Sequence, residues 1–154
     1  MLSSDQKDFF KKEGYLLVPG VLHSETILEL RKRILQIFQT GDWKRSPFNT
    51  ERVLSDVYNY FPEFISTTLN EQVLAVVREL LGKEPVLMPE TAIHHSFYTG
   101  WHKDTTSQEK VGHTFHYEKE ALMIEAGFYL QDNNELGGGL TVMPGSHLEK
   151  DIFH

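Results

Sequence analysis

The feature that most constrains this fold is a change in apolar pattern near Pro85. Before it, apolar residues recur at helical spacing, and after it they fall in short runs separated by glycine, proline and asparagine. The first pattern predicts amphipathic helices, and the second predicts strands. A chain of 154 residues is long enough for one domain with a substantial core. We therefore expect a single domain of the α+β or mainly β class. Residues 1–82 should be mainly helical, and residues 83–154 should form the β part.

Three helices can be bounded by their capping residues. The predicted caps and stops are Ser3 with Gln6 and Gly14, then Ser24 and Gly41, then Asn70 and Gly82. Helical spacing places apolar stripes on the second and third helices, comprising Ile27, Leu30, Ile34, Ile37 and Phe38, and Val73, Leu74, Val77, Leu80 and Leu81. The stretch from Gly41 to Pro62 is expected to be irregular.

Short apolar runs predict strands around residues 86–88, 92–98, 121–130 and 140–143, and a further one at Tyr15–Val18. In the longest run every second residue is apolar, namely Leu122, Ile124, Ala126, Phe128 and Leu130. The residues between them form a mixed face. Such a face suits the lining of a cavity better than a packed core.

Composition excludes several classes of protein. A net charge of −7 without a cluster of lysine and arginine argues against nucleic acid as a partner. No run of about 18 apolar residues is present and the first residues are polar, so we expect a soluble, cytoplasmic protein without a membrane partner. The absence of cysteine excludes thiolate metal sites, so any metal must be held by histidine, aspartate or glutamate.

The segment Trp101-His102-Lys103-Asp104 carries a candidate metal motif. In an extended strand, residues two apart project to the same side, so the imidazole and the carboxylate can reach one cation. Nitrogen and oxygen ligands of this kind suit Fe(II), and a 2-His-1-carboxylate site leaves positions open for a 2-oxoacid and O2. His-x-Asp alone is a short motif that also occurs by chance.

Three segments in the right order give the motif its context. They are residues 9–22 (FFKKEGYLLVPGVL), residues 100–104 (GWHKD), and residues 127–132 (GFYLQD) followed by 137–147 (GGGLTVMPGSH). Together they resemble the phytanoyl-CoA dioxygenase family in its N-terminal and central portions. The resemblance implies N-terminal helices packed on a double-stranded β-helix, a cupin-like jelly roll whose mouth holds iron.

The resemblance also implies a ligand set and cofactors. His102 and Asp104 correspond to the first two metal ligands, and the cofactors are Fe(II) and 2-oxoglutarate. The strand that bears Tyr129 lines the cosubstrate cavity, and Gly127 on it stands where many members carry a bulky residue. His95 is the nearest candidate for a polar contact with the cosubstrate.

The family places a second histidine ligand and a carboxylate-binding arginine well beyond the PGSH element, whereas this sequence ends at His154. We therefore expect a jelly roll truncated at its C-terminus. His147 follows Pro144 and Gly145, which favour a turn, so it is interpreted as structural rather than as the missing ligand. Open sheet edges in a half jelly roll favour a homo-oligomer or a strand-swapped dimer.

Other residues have simpler interpretations. Histidines 94, 95, 113 and 116 are more typical of surface or supporting positions than of direct ligands. Residues 105–120 are expected to form a loop beside the site, and the triglycine at 137–139 a hairpin turn rather than a phosphate loop.

The leading functional hypothesis is an Fe(II)- and 2-oxoglutarate-dependent dioxygenase that hydroxylates a small organic substrate. One alternative is a non-catalytic jelly-roll module that binds a ligand or partner. Another is a cupin-like enzyme that uses a different metal without 2-oxoglutarate.

Overall fold

A computed structural model describes residues 1–88, 91–95, 100–103 and 123–149 of the chain. These residues form an α+β arrangement with a two-stranded sheet. Its elements are α1 (Ser4–Glu13), α2 (Ser24–Thr40), β1 (Val53–Ser55), α3 (Val57–Tyr60), α4 (Ile65–Thr68), α5 (Glu71–Leu81), β2 (Ala92–His94) and α6 (Asn133–Leu136). Single 3₁₀ turns lie at Asp42–Arg45, Pro62–Phe64 and Ser146–Leu148. Within these ranges, no helix is both long and apolar enough to cross a membrane.

Helix α1 begins and ends where the sequence predicts. The Ser3 hydroxyl accepts a hydrogen bond from the Gln6 amide at 3.1 Å, and the Gln6 side chain accepts one from the Ser3 amide at 2.9 Å. This capping box satisfies amide groups that a helix leaves unpaired at its start. Gly14 ends the helix at φ +84°, a left-handed conformation that glycine adopts at little steric cost.

The caps of the other long helices are confirmed in part. Asn70 caps α5 by accepting a hydrogen bond from the Gln72 amide at 2.9 Å. Helix α2 ends at Gly41 as predicted, but its cap is His23 and the prediction of Ser24 is wrong by one residue. His23 has the extended backbone of a cap, whereas Ser24 is already helical and cannot adopt the cap geometry.

The hydrophobic core is centred on the stretch that the sequence predicts to be irregular. Its buried side chains are Ile34 and Ile37 of α2, Leu54 of β1, Val57 of α3, and the neighbouring Phe61 and Phe64. The prediction for Gly41–Pro62 is therefore wrong, because this stretch contains β1, α3 and the first 3₁₀ turn. Elements of three or four residues are too short to show a helical or strand period in the sequence.

A buried amide fixes this part of the chain. Asn49 is only 8% exposed. Its side-chain nitrogen donates to the Trp43 carbonyl at 2.8 Å, and its oxygen accepts from the Ser55 amide at 2.7 Å. A buried amide with both ends hydrogen-bonded avoids the cost of unpaired polar groups. Asn49 thus ties the end of β1 to the 3₁₀ turn after α2.

Strands β1 and β2 pair antiparallel, with Leu54 opposite Ile93. The strand predicted at 92–98 is confirmed for Ala92–His94, and residues 96–98 lie outside the described residues. The strand predictions for 15–18, 86–88 and 140–143 are wrong, as is that for the described part of 121–130. A strand needs a second backbone to pair with, which an apolar run does not provide by itself. In the described part of the chain the sheet has two strands, so the jelly roll stays a prediction.

Candidate metal centre

His102 lies in the short described segment 100–103, and its ring is oriented by the backbone. Its Nδ1 lies 2.7 Å from the carbonyl oxygen of Gly100. A carbonyl oxygen can only accept a hydrogen bond, so Nδ1 carries the proton and the lone pair of the neutral ring is on Nε2. Histidine ligands commonly donate their other ring nitrogen to a backbone carbonyl in this way. The geometry therefore fits His102 as an Nε2 metal ligand.

The residue after His102 connects this segment to a distant part of the chain. The Lys103 ammonium donates a hydrogen bond to the carbonyl of Glu149, 46 positions away. Glu149 follows directly on the Ser146–Leu148 turn, which contains the histidine of the PGSH element. The contact brings the segment 100–103 next to the residues that directly follow the segment 137–147.

The PGSH element in turn contacts the end of α1. Pro144 and Gly145 form the predicted turn, with Gly145 at φ +75°. The Gly145 amide donates to the Glu13 carbonyl at 2.9 Å, and His147 Nε2 lies 3.0 Å from the Lys11 carbonyl. Both carbonyls belong to the last turn of α1, where helix carbonyls have no partner within the helix. His147 therefore caps the end of α1, in agreement with its interpretation as structural.

His95 lies directly after β2 and packs against α2. Its amide donates to the Arg52 carbonyl at 2.7 Å, which extends the contact between the strands. Its ring lies over Phe38, with the ring centroids 4.9 Å apart and the planes at 32°. One backbone hydrogen bond and one ring contact therefore position His95, and its predicted contact with a cosubstrate stays a prediction.

Tyr129 is held by the chain beyond α6. Its hydroxyl accepts a hydrogen bond from the Leu140 amide at 2.8 Å, and Gln131 donates to the Gly137 carbonyl at 2.7 Å. The two bonds close the segment between residues 129 and 140 into a compact loop. A phenol that accepts one hydrogen bond keeps its own hydrogen to donate. A methyl group added at Gly127 would meet no atom within 4 Å in the described residues.

Asp104, the second member of the metal motif, lies outside the described residues. So do the predicted loop at 105–120 and, within it, His113 and His116, which the sequence predicts to be surface or supporting residues. His94 is described, and it lies opposite Val53 in the sheet. Among the residues that the structure describes, no three His, Asp or Glu side chains converge as a metal-binding group.

Lys103 is the residue of this region that sequence reasoning missed. The motif itself indicates the direction of the Lys103 side chain, because side chains alternate along an extended segment. If His102 and Asp104 face the metal, Lys103 between them faces the opposite side. It is therefore placed to contact another segment of the protein rather than the ion.

The chain matches the phytanoyl-CoA dioxygenase (PhyH) family over residues 10–154. It is similar to an ectoine dioxygenase of Halomonas elongata, with 26% identity over 160 residues that cover 95% of this chain and 46% of the relative. It is also similar to a probable alpha-ketoglutarate-dependent hypophosphite dioxygenase of Stutzerimonas stutzeri, with 22% identity covering 100% of this chain and 56% of the relative. The chain thus spans about half the length of these curated relatives. No solved structure matches it significantly.

Proposed function

Because the chain belongs to the phytanoyl-CoA dioxygenase family, we propose that it acts as an Fe(II)- and 2-oxoglutarate-dependent dioxygenase that hydroxylates a small organic molecule. The family implies a cupin-like fold. The two relatives are both named as dioxygenases, and one name specifies alpha-ketoglutarate, which is 2-oxoglutarate. The names differ in substrate, ectoine in one and hypophosphite in the other. The substrate of this chain therefore has to be found by screening.

The observation that carries the proposal is the orientation of His102. The hydrogen bond from Nδ1 to the Gly100 carbonyl selects the tautomer whose Nε2 can bind a cation. Asp104 would add a carboxylate oxygen, and this mixture of nitrogen and oxygen donors suits Fe(II). When bound, Fe(II) and 2-oxoglutarate supply the chemistry that activates O2. The chain's own residues bind and orient these groups, with His95 and Tyr129 as the proposed cosubstrate contacts.

The first test is an anaerobic titration with Fe(II) and 2-oxoglutarate, followed by visible absorption. A chelated Fe(II)–oxoacid complex has a weak charge-transfer band, which we expect in the unchanged protein and not in His102→Ala. His23→Ala is the matched control, because His23 is exposed and makes no side-chain bond at its helix cap. An equally strong band in His102→Ala would contradict the assignment.

Two further variants test which nitrogen binds the metal. The oxygen of a glutamine side chain reaches the position of Nε2, whereas that of asparagine reaches only the position of Nδ1. Because Nδ1 faces the Gly100 carbonyl, we expect His102→Gln to keep more metal affinity than His102→Asn. The reverse order in a Co(II) or Fe(II) titration would show that the ring binds through Nδ1.

A protein that unfolds cooperatively but gives no band would favour the alternative of a binding module without oxidation.

The same preparation can be tested for the predicted self-association. The segment 123–149 exposes large apolar side chains, including Met123, Leu136, Leu140 and Leu148. Exposed apolar surface often marks a binding surface. Light scattering after size-exclusion chromatography should give the mass of a dimer or of a larger homo-oligomer, and a monomer mass would contradict the prediction.

A further inference from the structure

We propose that Lys103 and His147 are positioning residues that couple the metal motif to helix α1 through the segment 144–149. Residues 144–149, here called the PGSH segment, form the connecting part. His147 fixes this segment to α1, and Lys103 fixes the metal motif to it. We call this set of contacts the clamp. The part of the inference that concerns metal affinity rests on the proposed function, whereas the coupling between the segments does not.

In the described residues, the PGSH segment contacts the end of α1 through Gly145 and His147. The Gly145 amide and the His147 ring bond to the carbonyls of Glu13 and Lys11 in the last helical turn. Because the Lys11 carbonyl can only accept, His147 Nε2 carries the proton. The other nitrogen, Nδ1, is buried without a hydrogen-bond partner in the described residues. This edge of the ring lies against Gly14. A methyl group added at Gly14 would lie only 2.7 Å from Cγ of His147.

The connection to the metal motif is the bond from the Lys103 ammonium to the Glu149 carbonyl. The short segment 146–149 joins this carbonyl to His147, and the 3₁₀ turn within it limits how far the two can move apart. Lys103 is half-buried, and its neighbour His102 is oriented by Gly100. Movement of the PGSH segment away from α1 should therefore move Lys103 and loosen the loop that presents His102.

Hydrogen–deuterium exchange of the metal-free protein tests this coupling directly. The clamp predicts that His147→Ala raises exchange not only near residues 10–14 but also in a peptide spanning residues 100–103. Losing one hydrogen bond should make that remote exchange about fivefold faster. His147→Gln keeps a donor near the position of Nε2 and should restore most of the protection. His23→Ala is the control for removal of a histidine.

Lys103→Met removes the ammonium and keeps most of the length of the side chain, with the exposed Lys32→Met of α2 as its control. We expect about tenfold weaker metal binding, the usual size of effect when a group that supports a ligand is removed. The double variant Lys103→Met/His147→Ala should bind metal no more weakly than Lys103→Met. If the bond to Glu149 carries the coupling, removing it should leave the loss of His147 without a further effect on metal binding.

The two hypotheses can fail separately. If His147→Ala changes exchange only near residues 10–14 and 144–149, the clamp is refuted whatever the metal affinity. Additive losses of metal affinity in the double variant would also refute it. If the unchanged protein binds no metal but His147→Ala still increases exchange at residues 100–103, the clamp stands and the proposed function fails.

Discussion

Gly14→Ala tests how tightly the PGSH segment is packed on α1. Gly14 has φ +84°, and holding alanine in this conformation costs about 1 kcal/mol. The new methyl group would also lie 2.7 Å from His147 Cγ and closer still to Nδ1, so the ring must move. Displacing it breaks the bond to the Lys11 carbonyl, which is worth about 1 kcal/mol. We expect a total loss of roughly 2–4 kcal/mol.

Gly41→Ala is the matched control for this measurement. Gly41 also ends a helix in the left-handed conformation, at φ +80°, but a methyl group there meets no atom within 4 Å in the described residues. It should therefore cost only about 1 kcal/mol. Urea denaturation gives both free energies of unfolding, with unchanged slopes as the check on two-state behaviour. In the His147→Ala background, Gly14→Ala should cost no more than Gly41→Ala. Equal costs of the two substitutions in the unchanged protein would refute the packing argument.

Three further predictions concern stability. Asn70→Ala should lower the free energy of unfolding by about 1 kcal/mol, because the Gln72 amide loses its cap. Leu54→Ala should cost about 2–5 kcal/mol, since this side chain is 0% exposed in the core. The hydrogen bond from Lys7 lowers the pKa of the Glu79 carboxyl below its ordinary value of 4.5. Its stabilising contribution is therefore complete above that value and lost as the pH falls through the lowered pKa. Urea melts at several pH values should show Glu79→Gln less stable than the unchanged protein near neutrality, with the difference vanishing in acid.

The helix ends could be predicted because their signals are local. The capping box of Ser3 and Gln6 involves residues three apart, and Gly14 and Gly41 adopt the left-handed conformation that few other residues tolerate. The one error, Ser24 in place of His23, has the same origin. A serine hydroxyl can cap a helix only if the serine itself has the extended backbone of a cap residue. In α2 the residue with that backbone is His23, one position earlier.

The core and the sheet could not be predicted in the same way. Leu54 and Phe61 are fully buried, yet each lies in or next to an element too short to have a recognisable period. Whether an apolar run becomes a strand depends on a partner elsewhere in the chain. Residues 92–94 pair with β1, whereas residues 140–143, which are more apolar, form no ladder in the described part of the structure.

The candidate site combines both kinds of information. The orientation of His102 is set by the carbonyl two residues before it, so a short motif is enough to encode the choice of ring nitrogen. One contact between that motif and the rest of the protein joins Lys103 to the carbonyl of Glu149, 46 residues later. A short motif can therefore set which ring nitrogen of His102 carries the proton, because that choice is local. It does not show how the segment is placed against the rest of the protein, because that depends on contacts formed only in the folded chain.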